Sequence, residues 1–170
     1  FATTLTGEKV AIKILRPEIE KAFSRDLTLL RWMARLATSL RPALKRLRLE
    51  EVVETLAETA RIEMDLRLEA AAATELHENI KTDPTYNVPK VFWKYTSRRV
   101  LTTSRVSGIP IDEINYRENN FCTDTVLRHA SRAMFTQILR DGFFHGDMHQ
   151  GNLFVDPKGN IIPVDFGIMG

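Results

Sequence analysis

Hydrophobic and polar positions alternate through the first fifteen residues, "FATTLTGEKVAIKIL". Alternation ending in Val10, Ile12 and Ile14 is typical of a half-buried strand, and Thr6-Gly7-Glu8 supplies the turn of a hairpin. From residue 18 to about 39 the apolar positions recur every three or four residues instead. This spacing predicts a helix that starts after Arg16-Pro17 and stops at Arg41-Pro42.

A second helical pattern runs from about residue 49 to 80 and contains neither Gly nor Pro. An unbroken helix of that length would extend about 48 Å at about 1.5 Å per residue, so we expect a break or bend within it. Strands are predicted at 88–95 and 98–106, with a turn at 97–99, and Gly108-Ile109-Pro110 ends that pattern. Helical spacing returns at 123–141, followed by a strand, a Pro-Lys-Gly turn and another strand.

Composition narrows the class of protein. The 170 residues are 44% hydrophobic, which suffices for one buried core, and the 24 basic and 22 acidic residues leave a formal charge of only +2. Such a balance does not indicate a nucleic-acid partner. The single cysteine, Cys122, excludes an internal disulfide. No apolar run reaches the ~18 residues of a spanning helix, and the first residues given lack the pattern of a signal peptide.

The most informative segment is "FFHGDMHQGNLFVDPKGNIIPVDFG" at 143–167. Four residues separate Asp147 from Asn152, which is the spacing of the kinase catalytic loop with Gly in place of Arg after the histidine. Asp147 would orient or deprotonate an attacking hydroxyl or water, while Asn152 and Asp165 would coordinate Mg²⁺. His145 and His149, four residues apart, are interpreted as loop histidines bonded to the backbone, with zinc ligation as the alternative.

Lysine and acid candidates lie upstream. Lys13 follows "VAI" on the second strand, where a kinase places the lysine of its α- and β-phosphates. Its ammonium needs an acidic partner, and the long helix offers Glu63, Asp65 and Glu69. On a continuous helix Asp65 and Glu69 share a face, whereas Glu63 points nearly away from Asp65. One of these acids should meet Lys13.

Together these segments resemble the UbiB family of atypical protein-kinase-like proteins, called ADCK proteins in animals. "VAIKILRP" resembles its lysine strand, "EMDLRLEAAAA" its E-x-D helix, "VLTTSRVSGIP" its hinge, and "HGDMHQGNLFV" and "VDFGIMG" its catalytic and metal loops. The resemblance implies a pair between Lys13 and Glu69, a catalytic aspartate, two metal ligands, two signature acids and an adenine-binding backbone. Asp147 would be the catalytic aspartate, Asn152 and Asp165 the metal ligands, and Glu63 and Asp65 the signature acids. The backbone of Ser104, Arg105 and Val106 would bind adenine.

The implied fold is a two-lobed, protein-kinase-like α+β domain truncated at both ends. Residues 1–106 would form an N-lobe-like part, with an antiparallel sheet from 1–15 and 88–106, and residues 107–170 a partial C-lobe. Phe1 opens inside a strand and Gly170 lies three residues after a loop glycine, so we expect a fragment. The family's alanine-rich loop and K-x-G-Q segment would precede Phe1, and the membrane-spanning tail of many bacterial members would follow Gly170.

The implied activity is that of an ATP- and Mg²⁺-dependent kinase or ATPase that supports ubiquinone biosynthesis. Implied partners are an anionic membrane and biosynthetic enzymes or prenylated precursors, at the cytoplasmic face of a bacterial inner membrane. Two alternatives remain. "HGDMHQGN" is also similar to the loop of aminoglycoside and choline phosphotransferases, and a non-catalytic lipid-binding scaffold is a third class. The basic segment between Arg41 and Arg48 fits either anionic lipid or a solvated helix connection.

Overall fold

The computed structural model describes residues 1–114 and 122–170, which form six strands and four α-helices. The strands are β1 (Ala2–Thr3), β2 (Lys9–Ile14), β3 (Val100–Ser104), β4 (Ile109–Pro110), β5 (Leu153–Val155) and β6 (Ile161–Pro163). The helices are α1 (Ile19–Leu40), α2 (Leu49–Glu63), α3 (Leu66–Ile80) and α4 (Thr123–Thr136). No helix in these two ranges is long and apolar enough to cross a bilayer.

The first sheet is antiparallel in the order β1-β2-β3. The predicted hairpin turn is confirmed, with Gly7 at a φ of 88°, a conformation that favours glycine. In β2 only Val10 is buried, whereas Ile12 and Ile14, which alternate with it, are 41% and 66% exposed. The alternation thus predicted the strand but not the burial of its apolar side. Lys13 stands opposite Leu101 of β3, so the sheet fixes its backbone from one side.

The strand predicted at 88–95 is wrong. This segment contributes one bridge, between Val91 and Thr103, followed by a 3₁₀ turn at Trp93–Tyr95. Hydroxyl groups compete with the ladder here: the Thr102 Oγ1 donates to the Tyr95 carbonyl at 2.7 Å. The Thr96 Oγ1 accepts from the Thr102 N–H at 3.2 Å. The alternation of apolar and polar residues predicted a strand here because it takes no account of such side-chain-to-backbone hydrogen bonds.

α1 and α2 form a helical hairpin with its own small core of Leu27, Ala34, Val53 and Ala57. Two ion pairs, Arg31 with Glu54 and Arg35 with Glu50, join the helices along one side. The hairpin therefore packs mainly on itself.

The expected break in the long helix occurs at Met64 and Asp65. Asp65 adopts an extended backbone and becomes the N-cap of α3, its carboxylate accepting from the Arg67 N–H at 3.1 Å. An aspartate favours this position because its side chain replaces a missing intrahelical acceptor. The break gives α3 a direction of its own.

α3 packs against the C-terminal half of the chain. Its residues Ala73, Leu76 and Ile80 share the largest core with α4 and the second sheet, ordered β4-β5-β6. The predicted strands around the Pro-Lys-Gly turn are confirmed as β5 and β6, while β4 was not predicted. The helix predicted at 123–141 is α-helical to Thr136 and continues as a π-helical turn, Gln137–Asp141. The boundary proposed at residue 106 stays a prediction, although the two sheets fall on either side of it.

Candidate functional site

Lys13 is the centre of the charged cluster. Its Nζ lies 2.9 Å from both carboxylate oxygens of Glu69 on α3 and 3.2 Å from Oδ2 of Asp165. The expected pairing of Lys13 with Glu69 is thus present, and neither Glu63 nor Asp65 takes that place. Three segments far apart in sequence meet at one ammonium.

The charges of this cluster are not balanced. Burial disfavours the Lys13 ammonium, but its contacts with Glu69 and Asp165 outweigh this and hold the pKa of Lys13 above its ordinary value. Burial raises the pKa of Glu69, and Lys13 only partly opposes the rise, because Glu69 is 7% exposed and shares the ammonium with Asp165. The lysine therefore keeps its proton firmly, while the buried glutamate is left short of positive charge.

The catalytic-loop segment holds Asp147 and Asn152 together. The Asn152 Nδ2 donates to the Asp147 Oδ2 at 3.2 Å and to the Asp147 carbonyl at 3.3 Å. The Asn152 carbonyl in turn accepts from the Val164 N–H at 3.0 Å, next to Asp165. Side-chain and backbone bonds thus bring all three predicted polar residues to one place.

Backbone pairing joins the two loops that carry Asp147 and Asp165. Phe144 and Gly170 exchange two hydrogen bonds of 2.9 Å, and the Gly146 N–H donates to the Ile168 carbonyl at 2.9 Å. A Cβ at Gly170 would lie 2.5 Å from the Phe144 ring, so a larger residue here would displace that ring. We call this paired backbone the loop ladder, residues 144–146 and 168–170.

Asp165 begins the Asp-Phe-Gly turn. Burial alone would raise the pKa of Asp165, but Lys13 and the Gly167 N–H, which donates to its Oδ1 at 3.1 Å, lower the pKa below its ordinary value. Phe166 is buried in the large core. The turn thus anchors its ring in the protein interior and leaves the carboxylate at the cleft.

Both loop histidines bond the backbone. The His145 Nδ1 accepts from the Asp147 N–H at 3.1 Å, and the His149 Nδ1 accepts from the Gly151 N–H at 3.0 Å. Burial lowers the pKa of His145, which keeps its ring neutral and able to accept. The His149 Nε2 is 3.7 Å from the Asp147 Oδ2. The histidines thus serve the loop as the sequence interpretation expected.

Two cavities meet at Lys13. One, of about 450 Å³, is lined by Lys13 and by five acids, Glu63, Asp65, Glu69, Asp147 and Asp165. The other, of about 250 Å³, is a mostly apolar slot lined by Lys13 and residues of β2, β3 and β5. We refer to them as the acidic cavity and the apolar slot.

The hinge segment borders the apolar slot. Ser104 and Val106 line it, together with Ala11 and Leu101. Arg105 is placed differently: its N–H donates to the Lys9 carbonyl at 3.0 Å, and its guanidinium lies 4.5 Å from the centre of the Phe1 ring. The slot is mostly apolar at the place where the sequence predicted an adenine site.

The expected orientation of Glu63 is wrong. On a continuous helix it would point away from Asp65, but the break after α2 allows both residues to line the acidic cavity. Asp65 is not free there, since its Oδ2 is 2.6 Å from the Nη2 of Arg67. Helical spacing does not predict the relative direction of two side chains when a helix break lies between them.

Magnesium chemistry fits the residues present. Within residues 1–114 and 122–170, no three His, Cys, Asp or Glu side chains group with metal-binding geometry. However, Asn152 uses its amide nitrogen as a donor to Asp147, so its amide oxygen is the atom of this side chain that could accept a cation. That oxygen and the Asp165 carboxylate are the hard donors that Mg²⁺ takes alongside water and phosphate oxygens. The uncompensated negative charge of the acidic cavity favours a divalent cation.

Sequence reasoning missed one polar residue behind the loop. Gln137 is fully buried, and its Oε1 accepts from the His145 N–H at 3.0 Å. Its signal was a glutamine close to the apolar pairs Met134-Phe135 and Ile138-Leu139 in "MFTQIL", which the periodicity treated as a gap.

Comparison with known proteins places the chain in a family. A family model described as the ABC1 atypical kinase-like domain matches residues 1–170. The chain belongs to this family. The expected resemblance and the kinase-like α+β fold class are therefore confirmed.

Curated relatives of this ABC1 chain carry the name "Probable protein kinase UbiB". Identity is 42% to the protein of Marinobacter nauticus and 38% to that of Xylella fastidiosa strain M12, each over 99% of the chain. Identity to the Pseudomonas aeruginosa protein is 36% over 97% of the chain. The chain spans 32% of the length of each relative. The name thus applies to proteins about three times as long.

A solved structure shares the fold of this ABC1 domain. It is the complex of Rv3197 with erythromycin from Mycobacterium tuberculosis, with a TM-score of 0.79 and 28% identity. The similarity covers 98% of the present chain and 41% of that one. Sequence and structure therefore agree on an atypical kinase-like domain.

Proposed function

We propose that this ABC1 domain binds Mg²⁺-ATP and transfers or hydrolyses its terminal phosphoryl group. One observation carries the proposal: Lys13 Nζ sits between Glu69 and Asp165 at the junction of an acidic cavity and an apolar slot. A nucleotide needs such a junction, with an apolar surface for its base and charges for its phosphates.

Each side has a distinct role. The apolar slot beside Ser104, Arg105 and Val106 would take the adenine. The backbone N–H of Val106 would donate to it, since those of Ser104 and Arg105 already donate to the Lys90 and Lys9 carbonyls. Lys13, oriented by Glu69, would bind the α- and β-phosphates. When bound, Mg²⁺ would neutralise charge developing on the phosphates. Asp165 and Asn152 would hold it in place.

Asp147 would act on the nucleophile. Asn152 Nδ2 and the His149 imidazole lie on its Oδ2 side, which leaves the other carboxylate oxygen to accept a proton or orient a hydroxyl. The same geometry serves an attacking alcohol or water, so kinase and ATPase chemistry are equally compatible. Glu63 and Asp65, the signature acids, line the same cavity as Asp147.

The biological setting follows from the UbiB relatives. We propose support of ubiquinone biosynthesis at the cytoplasmic face of a bacterial inner membrane. Partners would be anionic lipid and biosynthetic enzymes or prenylated precursors. The name of the relatives favours this assignment over aminoglycoside or choline phosphorylation.

Two substitutions in the complete protein test the proposal. Asp165→Asn should remove Mg²⁺-dependent stabilisation by ATP, whereas Asp147→Asn should keep much of that stabilisation and lose turnover. At ATP about 100 times its dissociation constant, ligand linkage adds about 2.7 kcal/mol, which thermal denaturation resolves as several degrees. Asp26→Asn, an exposed carboxylate of α1, is the matched control and should behave as wild type.

The alternative outcomes are distinct. A wild-type protein with neither Mg²⁺-dependent shift nor turnover would favour the lipid-binding scaffold. Wild-type turnover in both cleft variants would contradict the roles assigned to Asp147 and Asp165. Turnover stimulated by choline or an aminoglycoside would favour the small-molecule phosphotransferase. Normal ubiquinone levels in a deficient bacterium carrying either cleft variant would separate the site from the pathway.

A further inference from the structure

Behind the catalytic loop lies a buried polar cluster that the proposed chemistry does not use. It consists of Gln137, Tyr86 and His145, all buried. Gln137 occupies the first position of the π-helical turn that follows α4. π-Helical turns are rare and recur at functional sites, because they re-aim a side chain out of the α-helical pattern.

The cluster connects the core to Asp147 in two steps. The Gln137 Oε1 accepts from the His145 N–H at 3.0 Å, and the His145 Nδ1 accepts from the Asp147 N–H at 3.1 Å. Each bond fixes one backbone amide of the loop. The second bond requires an unprotonated Nδ1 on the His145 ring. The first bond holds the His145 backbone and thereby helps to orient that ring.

The other end of Gln137 faces Tyr86. Its Nε2 and the Tyr86 hydroxyl have no partner of good hydrogen-bond geometry within residues 1–114 and 122–170. The same holds for the His145 Nε2, although the Asp165 backbone lies beside the His145 ring. The Tyr86 hydroxyl nevertheless adjoins the Gln137 amide; burial raises the pKa of Tyr86 to about 12 and the amide opposes the rise. An apolar side chain would fill this volume without burying an amide. Gln137 therefore contributes something other than packing.

We infer that Gln137 is a positioning residue that holds the His145–Asp147 backbone so that the Asp147 carboxylate reaches the reacting group. This inference rests on the proposed function for its catalytic readout. Gln137 touches neither cavity; it acts through His145. A small displacement of a catalytic group lowers the rate steeply, even when substrate binding is intact.

Gln137→Met in the complete protein tests the inference. Methionine matches the length of glutamine and removes the acceptor. We expect kcat to fall by up to about 100-fold, while the KM for ATP and the Mg²⁺-dependent thermal shift stay close to the wild-type values. Val126→Ala, which opens the core on the same helix but lies outside the cluster, should lower Tm and leave kcat unchanged.

A conservative variant separates positioning from packing. Gln137→Glu keeps an oxygen acceptor and, when protonated, places an O–H where the amide nitrogen was. Burial raises the pKa of such a carboxyl. The kcat of Gln137→Glu relative to wild type should be highest at low pH. It should fall as the pH rises, because a charge then forms on Glu beside Tyr86 and His145. Gln137→Met should show no such dependence.

Hydrogen exchange tests whether Gln137 holds the loop, and this measurement does not depend on catalysis. The amides of 144–148 should exchange faster in Gln137→Met than in wild type, and at the wild-type rate in Val126→Ala. If the wild-type protein hydrolyses no ATP, the proposed function fails, and faster exchange still supports the loop-holding role. Wild-type exchange and wild-type kcat in Gln137→Met, or equal effects in Val126→Ala, would overturn the inference.

Discussion

The cleft and the α1–α2 hairpin use ion pairs in different ways. In the hairpin, Arg31 meets Glu54 with two bonds of 2.7 and 2.9 Å, and each cation faces one carboxylate at the surface. In the cleft, Lys13 faces two carboxylates, one of them 7% exposed. The hairpin pairs are balanced and screened by water, so they contribute little to stability. The cleft pairs are unbalanced, which suits a site that awaits a cation and phosphates.

The largest expected effect comes from Lys13→Met. Loss of one charge that stabilises the reacting phosphates should lower turnover about 10²- to 10³-fold. The hairpin should be unaffected, as hydrogen exchange of α1 and α2 would show. Turnover near the wild-type rate would contradict the role of Lys13 and remove the main contrast between the two regions.

The same variant should acquire a pH-dependent stability. Without Lys13, the already raised pKa of Glu69 rises further, while the unfolded chain titrates near its ordinary value of 4.5. The folded variant then binds the proton more tightly. Its stability relative to wild type should be highest below that value and fall as pH rises through the raised pKa. Thermal melts between pH 4 and 8 test this, and Lys13→Met combined with Glu69→Gln should remove the dependence.

Leu27→Ala tests the independence of the hairpin. Leu27 is buried in the hairpin core, and such truncations cost about 2–5 kcal/mol. We expect faster hydrogen exchange in α1 and α2, with turnover per folded molecule unchanged at low temperature. Leu29→Ala, at an exposed position of the same helix, is the control and should be near neutral. Equal loss of turnover and hairpin stability would show that the two regions are coupled.

Asp65 lies where the two regions join, so its effect should be intermediate. Asp65→Ala removes the N-cap of α3 and should cost about 1 kcal/mol in denaturant unfolding. Asp65→Asn keeps a capping oxygen and should lose less. Equal destabilisation by both changes would point to the contact with Arg67 rather than the cap.

The smallest effect is expected at Arg31. Arg31→Ala removes an exposed pair, and its Tm should match wild type within error, with no change in turnover. A clear loss of stability would mean that the hairpin pairs matter more than their exposure indicates.

Much of this structure follows from local patterns. β2, α1 and the break in the long helix were predictable because alternation, helical periodicity and helix length are properties of neighbouring residues. The acids and amide of the cleft were predictable because their spacing is fixed by the geometry of a loop. The strand assigned to 88–95 failed because hydroxyl bonds from Thr102 and Thr96 depend on tertiary contacts.

Local changes in the direction of the chain explain the remaining errors of prediction. Glu63 enters the acidic cavity only because Asp65 redirects the chain, and a helical wheel drawn through both cannot show this. Gln137 acquires its partner from a segment eight residues later, after a π-helical turn that no apolar pattern encodes. The choice of Glu69 over its neighbours came from the family resemblance.

The loop ladder has a consequence for the order of folding. It joins segments that are near in sequence, whereas Lys13 is 56 residues from Glu69 and 152 residues from Asp165. Contacts of short sequence separation form sooner, because less chain entropy is lost in closing them. We expect the Asp147 and Asp165 loops to be paired before the lysine strand docks. In pulse-labelling experiments, the amides of Gly146 and Gly170 should then gain protection earlier than the β2 amides that pair with β3.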